Sequence, residues 1–137
     1  MENNIKKFNR RVTKQTESII YYHFVFCTRY RRKIFINEEL NKRFKTLVNE
    51  IAEDNDIEVL EIYTHLEYCY LSVEAPPSIS PKNIMAKLKS ETSRILREEF
   101  KELSAIPSLW TRNYFVSTAG NVSSETIKQY VENQRKR

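Results

Sequence analysis

The chain has 137 residues and a single glycine, Gly120. That scarcity excludes a glycine-rich phosphate-cradling loop, of either the P-loop or the dinucleotide type, because such loops need several glycines in one tight turn. It also excludes collagen-like and linker-rich designs. No apolar run reaches the ~18 residues that would suggest a membrane span, and Met1 to Arg11 lacks the apolar stretch of a signal peptide. Cysteine is sparse too. Cys27 and Cys69 have no metal-ligand spacing and stand in apolar-aromatic runs. The expectation is two buried free thiols in a reducing cytoplasm.

What is present builds a core. Hydrophobic residues make up 40% of the chain and aromatics 12%, enough to fold a chain whose length suits one domain. Charge is uneven. Residues 1–33 carry nine Lys and Arg against two Glu, while the remainder carries 14 against 16 acidic residues. A basic segment on a near-neutral body points to a polyanionic partner. Residues 1–17 are polar, lack an apolar period and read as a flexible basic arm, leaving 18–137 as the domain. Arg29-Tyr30-Arg31-Arg32-Lys33 directly follows an apolar strand and carries an aromatic, so it reads as a fixed phosphate-binding rim.

Periodicity sets the elements. Ile19 to Thr28 is aromatic and β-branched, a strand buried on both faces. Asn37 caps a helix with Glu38 and Glu39 in its first turn. Leu40, Phe44, Leu47, Val48 and Ile51 form its apolar stripe, and Asp54-Asn55-Asp56 ends it. Ile57–Tyr63 and Glu67–Glu74 read as strands joined by a glycine-free turn at Thr64 to Leu66. Ser80-Pro81 opens a second helix, with Ser80 as cap and Pro81 at the first helical position. Its buried stripe is Ile84, Met85, Leu88, Ile95 and Leu96. Leu109-Trp110 precede a strand over Tyr114–Thr118. Gly120 forms the turn after it, and Ser123 or Ser124 caps a last helix reaching about Gln134. The order β-α-β-β-α-β predicts an α+β, ferredoxin-like antiparallel sheet with helices on one face plus a C-terminal helix.

On the last helix Ile127, Tyr130, Val131 and Gln134 share one face by their i, i+3, i+4, i+7 spacing. Several segments together resemble the single-tyrosine HUH transposases of small insertion sequences and their REP-associated relatives. They are Tyr22-His23-Phe24-Val25-Phe26, then Thr28 to Lys33, Ala75-Pro76-Pro77, Ser80-Pro81, Leu88-Lys89-Ser90 with Ser93-Arg94, Leu109-Trp110, Tyr114 to Thr118 with Gly120, and Ile127 to Gln134. The resemblance covers roughly residues 20–134. It implies binding of single-stranded DNA hairpins and attack by a terminal-helix tyrosine on a phosphodiester, giving a 5′-phosphotyrosine. It also implies Mg²⁺ or Mn²⁺ as Lewis acid, and a homodimer that shares its terminal helices. By the motif match Tyr130 is the nucleophile position and Gln134 an additional metal ligand. Arg29, Arg31, Arg32, Lys33, Lys89 and Arg94 are expected on phosphates, with Tyr30 stacking on a base.

One departure matters. The family's His–hydrophobic–His strand motif is matched here by Tyr68-Cys69-Tyr70. Pleat parity keeps Tyr68 and Tyr70 on one face. A neutral imidazole offers a lone pair at pH 7, whereas a phenol with a reference pKa near ~10 is mostly protonated. Mg²⁺ prefers carboxylate, phosphate and water. His65-Leu66-Glu67 is a formal substitute, but it starts three residues too early, which reverses face parity unless a bulge intervenes. His23, which matches a family histidine, reads as structural. Two functions therefore stand side by side. One is a transposase that nicks and rejoins DNA through Tyr130. The other is an inactive relative, with no metal, that keeps hairpin DNA or RNA binding as a regulatory protein.

Overall fold

The computed structural model describes residues 18–135; the 1–17 arm and the last two residues of the basic end lie outside the described residues. Four strands, β1 (Ile20–Cys27), β2 (Glu58–His65), β3 (Tyr68–Ala75) and β4 (Phe115–Ser117), form one sheet in the order β2-β3-β1-β4. All three neighbouring pairs are antiparallel. Helices α1 (Glu38–Asp54) and α2 (Pro81–Glu99) cover one face, and α3 (Ser124–Arg135) lies against the other. The architecture is the expected α+β ferredoxin-like sheet with its added C-terminal helix.

Side-chain alternation along the central strands explains the two layers. Tyr22, Phe24 and Phe26 of β1 and Cys69, Leu71 and Val73 of β3 point to the main core. There they meet Leu40, Phe44, Leu47, Val48 and Ile51 of α1, and Ile84, Met85, Leu88 and Leu96 of α2. Val25, Cys27 and Tyr70 point the other way and meet Val131 of α3. Trp110 closes the main core. Its ring packs edge-on to Phe26 at 4.9 Å and its Nε1–H donates to Thr92 Oγ1 at 3.0 Å.

Local chemistry fixes the helix ends. The Asn37 side chain accepts from the amides of Glu39 and Leu40 at 3.1 and 3.2 Å. Ser80 Oγ accepts from Asn83 N, with Pro81 opening the helix. Ser123 Oγ, rather than Ser124, accepts from Thr126 N at 3.2 Å. Each is the N-cap geometry that satisfies an otherwise unpaired helical N–H. Helix α1 ends with Asp56 in the left-handed region, φ 57°, while Ile57 N donates to Ala52 O.

The structure moves two boundaries and adds a bulge. The β2–β3 turn is the two-residue Leu66-Glu67 rather than Thr64 to Leu66. Leu66 takes φ 49°, a region glycine favours. The turn is fixed instead by tertiary bonds: Phe35 N donates to Leu66 O at 3.0 Å and Thr28 N to Glu67 O at 2.9 Å. The strand expected over Tyr114–Thr118 keeps only Phe115–Ser117, because its partner β1 pairs there through three residues, His23 to Val25. Finally, β2 carries a register shift between Val59 and Glu61. Val59 and Ile62 both pack on the main core, so Leu60 is the extra residue of a bulge and stands 49% exposed.

Gly120 stands where the sequence expects it, in the bend between β4 and α3, but that bend does not require a glycine. Gly120 has no positive φ, and a Cβ placed there meets nothing within 4 Å. The positive φ values fall on Tyr30, Arg31, Asp56 and Leu66.

Candidate nucleic-acid interface

The basic rim grows from the end of β1. Thr28 Oγ1 donates to Arg32 O at 2.7 Å, closing a tight turn over the intervening residues. Arg29 is tied down twice: its amide donates to Leu109 O at 2.9 Å and its Nε to Trp110 O at 3.0 Å. The chain then places two successive residues in the left-handed region, Tyr30 at φ 58° and Arg31 at φ 54°. Such a conformation costs a non-glycine residue roughly 1–2 kcal/mol and persists only where surroundings enforce it. Here it turns the Tyr30 ring outward, 79% exposed. The Arg32 guanidinium carbon lies 5.1 Å from that ring's centroid, a cation–π contact, and Arg32 Nη1 is buried. Arg31 and Lys33 are the exposed cations of the rim.

Beside this rim lies a cavity of about 630 Å³. Arg29, Arg31 and Arg112 line it together with Tyr30, Glu67 and Gln134. Arg112 escaped the sequence reading, since an isolated arginine in a polar loop carries no periodic signal. Its loop is held from behind. Lys89 Nζ donates to Thr111 O at 2.9 Å and Asn113 O at 2.8 Å, and lies 5.4 Å from the Tyr114 ring centroid. Burial lowers the Lys89 ammonium to a pKa of about 8. Lys89, expected on a phosphate, thus spends two of its three N–H groups anchoring the segment that carries Arg112. Arg94, expected there too, sits on the solvent face of α2 between Glu91 at 3.7 Å and Glu98 at 3.6 Å, and lines none of the cavities around α3.

Helix α3 separates the residues that the motif match groups together. Val131 seats it on the sheet against Val25, Cys27 and Tyr70. Gln134 faces the basic cavity with Glu67, which is itself buried. Tyr130 turns toward β4, its ring centroid 6.0 Å from that of Phe115, and its phenolic oxygen is shielded from solvent. It lines a different cavity of about 370 Å³ with Ser123, Gln129 and Asn133. Tyr68 and Tyr70 line a third, about 350 Å³, with Glu61, Tyr63, Ile127 and Lys128.

Tyr68 and Tyr70 do share one face, as pleat parity requires. The Tyr70 hydroxyl and His23 Nδ1 share a hydrogen bond of 2.8 Å, and both residues are buried. Burial pushes the Tyr70 phenol above its ordinary pKa, with the Glu61 charge adding to the effect. His65 behaves differently from expectation. The Leu66-Glu67 hairpin sets it directly opposite Tyr68 on β3, so the two share a face and no parity reversal arises. Pleat parity does not carry across a turn, and the turn here lies at Leu66-Glu67, between His65 and Tyr68. The side chain of Glu67, by contrast, faces the basic cavity.

The donor set does not fit a divalent metal. Among the described residues no three His, Cys, Asp or Glu side chains converge. The positions offered by the sequence match are two phenols, one raised in pKa and hydrogen-bonded to a histidine, with Gln134 in a separate cavity.

The chain is thus a ferredoxin-like βαββαβ domain with an arginine-lined cavity beside a terminal helix that carries Tyr130. The chain belongs to the IS200-like transposase family, whose model matches residues 16–134. It is 28% identical over 116 residues to the transposase for insertion sequence element IS200 of Salmonella typhimurium, covering 82% of this chain and 75% of that protein. It is 24% identical to the ISDra2 transposase TnpA of Deinococcus radiodurans, covering 82% of each. A crystallised candidate transposase from Deinococcus radiodurans superposes with a TM-score of 0.78 at 26% identity, covering 85% of this chain and 92% of its own. A REP-associated tyrosine transposase bound to a REP hairpin superposes at 0.57 with 11% identity, covering 83% and 61%; at that identity the likeness is one of fold. No helix among the described residues is long and apolar enough to cross a membrane.

Proposed function

We propose that this member of the transposase family binds hairpin-forming single-stranded DNA and does not nick it with metal assistance. The carrying observation is the pair at the histidine positions. Tyr68 and Tyr70 stand there, and Tyr70 is engaged with His23 at 2.8 Å. A protonated phenol supplies a divalent cation with little. The nucleophile position, Tyr130, has its hydroxyl packed away from solvent on the β4 side.

Binding is supported from the other direction. Arg31 and Lys33 are exposed beside a cavity that also holds Arg29 and Arg112, the charge pattern that neutralises phosphates. A fold relative is seen with a REP hairpin. The same reading carries a homodimer that presents two such rims, and a cytoplasmic setting in which Cys27 and Cys69 remain free thiols.

The test is a gel assay with a 3′-labelled hairpin bearing single-stranded flanks, in Mg²⁺ and in Mn²⁺. The expected result is a retarded complex without a covalent adduct. A denaturation-resistant adduct that disappears in Tyr130→Phe overturns the reading and makes the chain an active nicking enzyme.

A further inference from the structure

The outer face of the β2–β3 hairpin carries more aromatic surface than packing explains. Tyr63 and His65 alternate on β2, their rings nearly parallel at 9° with centroids 6.5 Å apart. Tyr68, opposite His65, completes a triangle at 5.9 Å from His65 and 6.3 Å from Tyr63. Tyr63 is 50% exposed, His65 is exposed, and neither belongs to either apolar core. Tyr63 and Tyr68 line the 350 Å³ cavity under α3, as do Lys128 and Glu61.

We propose that Tyr63, His65 and Tyr68 form a stacking platform for one unpaired base of single-stranded DNA. Aromatic rings on an open sheet face, with cations at the rim, are how four-stranded antiparallel sheets hold unstacked bases. Lys128, exposed on α3, takes the phosphate of that nucleotide. Tyr68 therefore contributes π-surface at a position where a histidine would contribute a lone pair. This inference rests on the DNA-binding reading above and names a second contact site for the strand that flanks the hairpin.

The test uses the full chain and a hairpin with single-stranded flanks, with 2-aminopurine placed at each flank position in turn. One position is expected to lose fluorescence severalfold on binding. Tyr63→Ala with His65→Ala should abolish that quenching and weaken binding of the flanked hairpin about tenfold or more. The bare hairpin should bind as before. Tyr63→Phe with His65→Phe should keep the quenching. Intact hairpin binding with no quenched position, or quenching that survives the double alanine variant, overturns this inference alone. Absence of binding to both the bare and the flanked hairpin overturns it together with the DNA-binding reading.

Discussion

The Tyr70 hydroxyl and His23 Nδ1 are joined at 2.8 Å across β3 and β1, beneath the helix that carries Tyr130. In this pair a buried histidine is satisfied by a phenol instead of standing ready for a ligand. Restoring imidazoles should therefore be costly at first and productive only with metal. Tyr68→His with Tyr70→His is expected to lower the melting temperature in EDTA, since one buried hydrogen bond is worth about 1 kcal/mol. Adding Mn²⁺ at a hundred times its dissociation constant should return about 2.7 kcal/mol, a rise of several degrees that differential scanning fluorimetry resolves. The parent chain should show no such rise.

The salt dependence of hairpin binding reports the rim. Arg31 and Lys33 are exposed, whereas Arg32 is folded over Tyr30. Arg31→Ala with Lys33→Ala should reduce the slope of log K against log salt by about 1.4, two phosphates at ~0.7 each for a single strand. Fluorescence anisotropy between 50 and 200 mM salt, roughly the span in which such slopes emerge, measures it. An unchanged slope would remove this stretch from the phosphate footprint.

Tyr30 and Gly120 hold each other's conformational preferences. Tyr30 sits at φ 58° and is largely solvent-exposed, while Gly120 has no left-handed φ and open space where a Cβ would go. Gly120→Ala should stabilise by about 0.4–1 kcal/mol by narrowing the unfolded ensemble. Tyr30→Gly should release a comparable strain and yet weaken hairpin binding. Urea denaturation alongside binding assays separates the two effects.

Stability should rise with pH above 8. Lys89 has a pKa of about 8 in the fold because burial disfavours its charge, against an ordinary 10.5. Between those values the unfolded chain holds more proton, so raising pH favours the fold. Burial raises the Tyr70 phenol above its ordinary 10.0, and that works in the opposite sense beyond about pH 10. The window is therefore pH 8 to 10, with a gain on the order of 1–2 kcal/mol after allowing for screening. Lys89→Met should flatten denaturation midpoints measured across that window.

What was legible in the chain was what neighbours in sequence decide. The Asn37 and Ser80 caps, Pro81, and the apolar stripe from Leu40 to Ile51 are written within one or two helical turns, and all stand where periodicity puts them. The Leu66-Glu67 turn was misplaced because its usual marker, glycine, is replaced by bonds from Phe35 and Thr28, some thirty to forty residues away. The arginine cavity was half legible. Arg29 and Arg31 follow a strand, but Arg112 reaches them through a loop whose path Lys89 fixes from another helix. The three-way split of Tyr130, Gln134 and Tyr68 around α3 depends on how one helix rolls on a sheet, which i, i+4 spacing leaves open.

The extra residue at Leu60 has a mechanical meaning. Upstream of it Val59 faces the helices and downstream Ile62 does, so Leu60 and Glu61 both look outward and the bulge absorbs the extra residue. Straightening the bulge with Leu60 in line would rotate the tip of the hairpin by one pleat. Tyr63 and His65 would then press on α1, and Ile62 would meet water. The bulge thus works as a phase corrector: it lets β2 carry one added residue while the tip of the hairpin and the strand's root both stay keyed to the core.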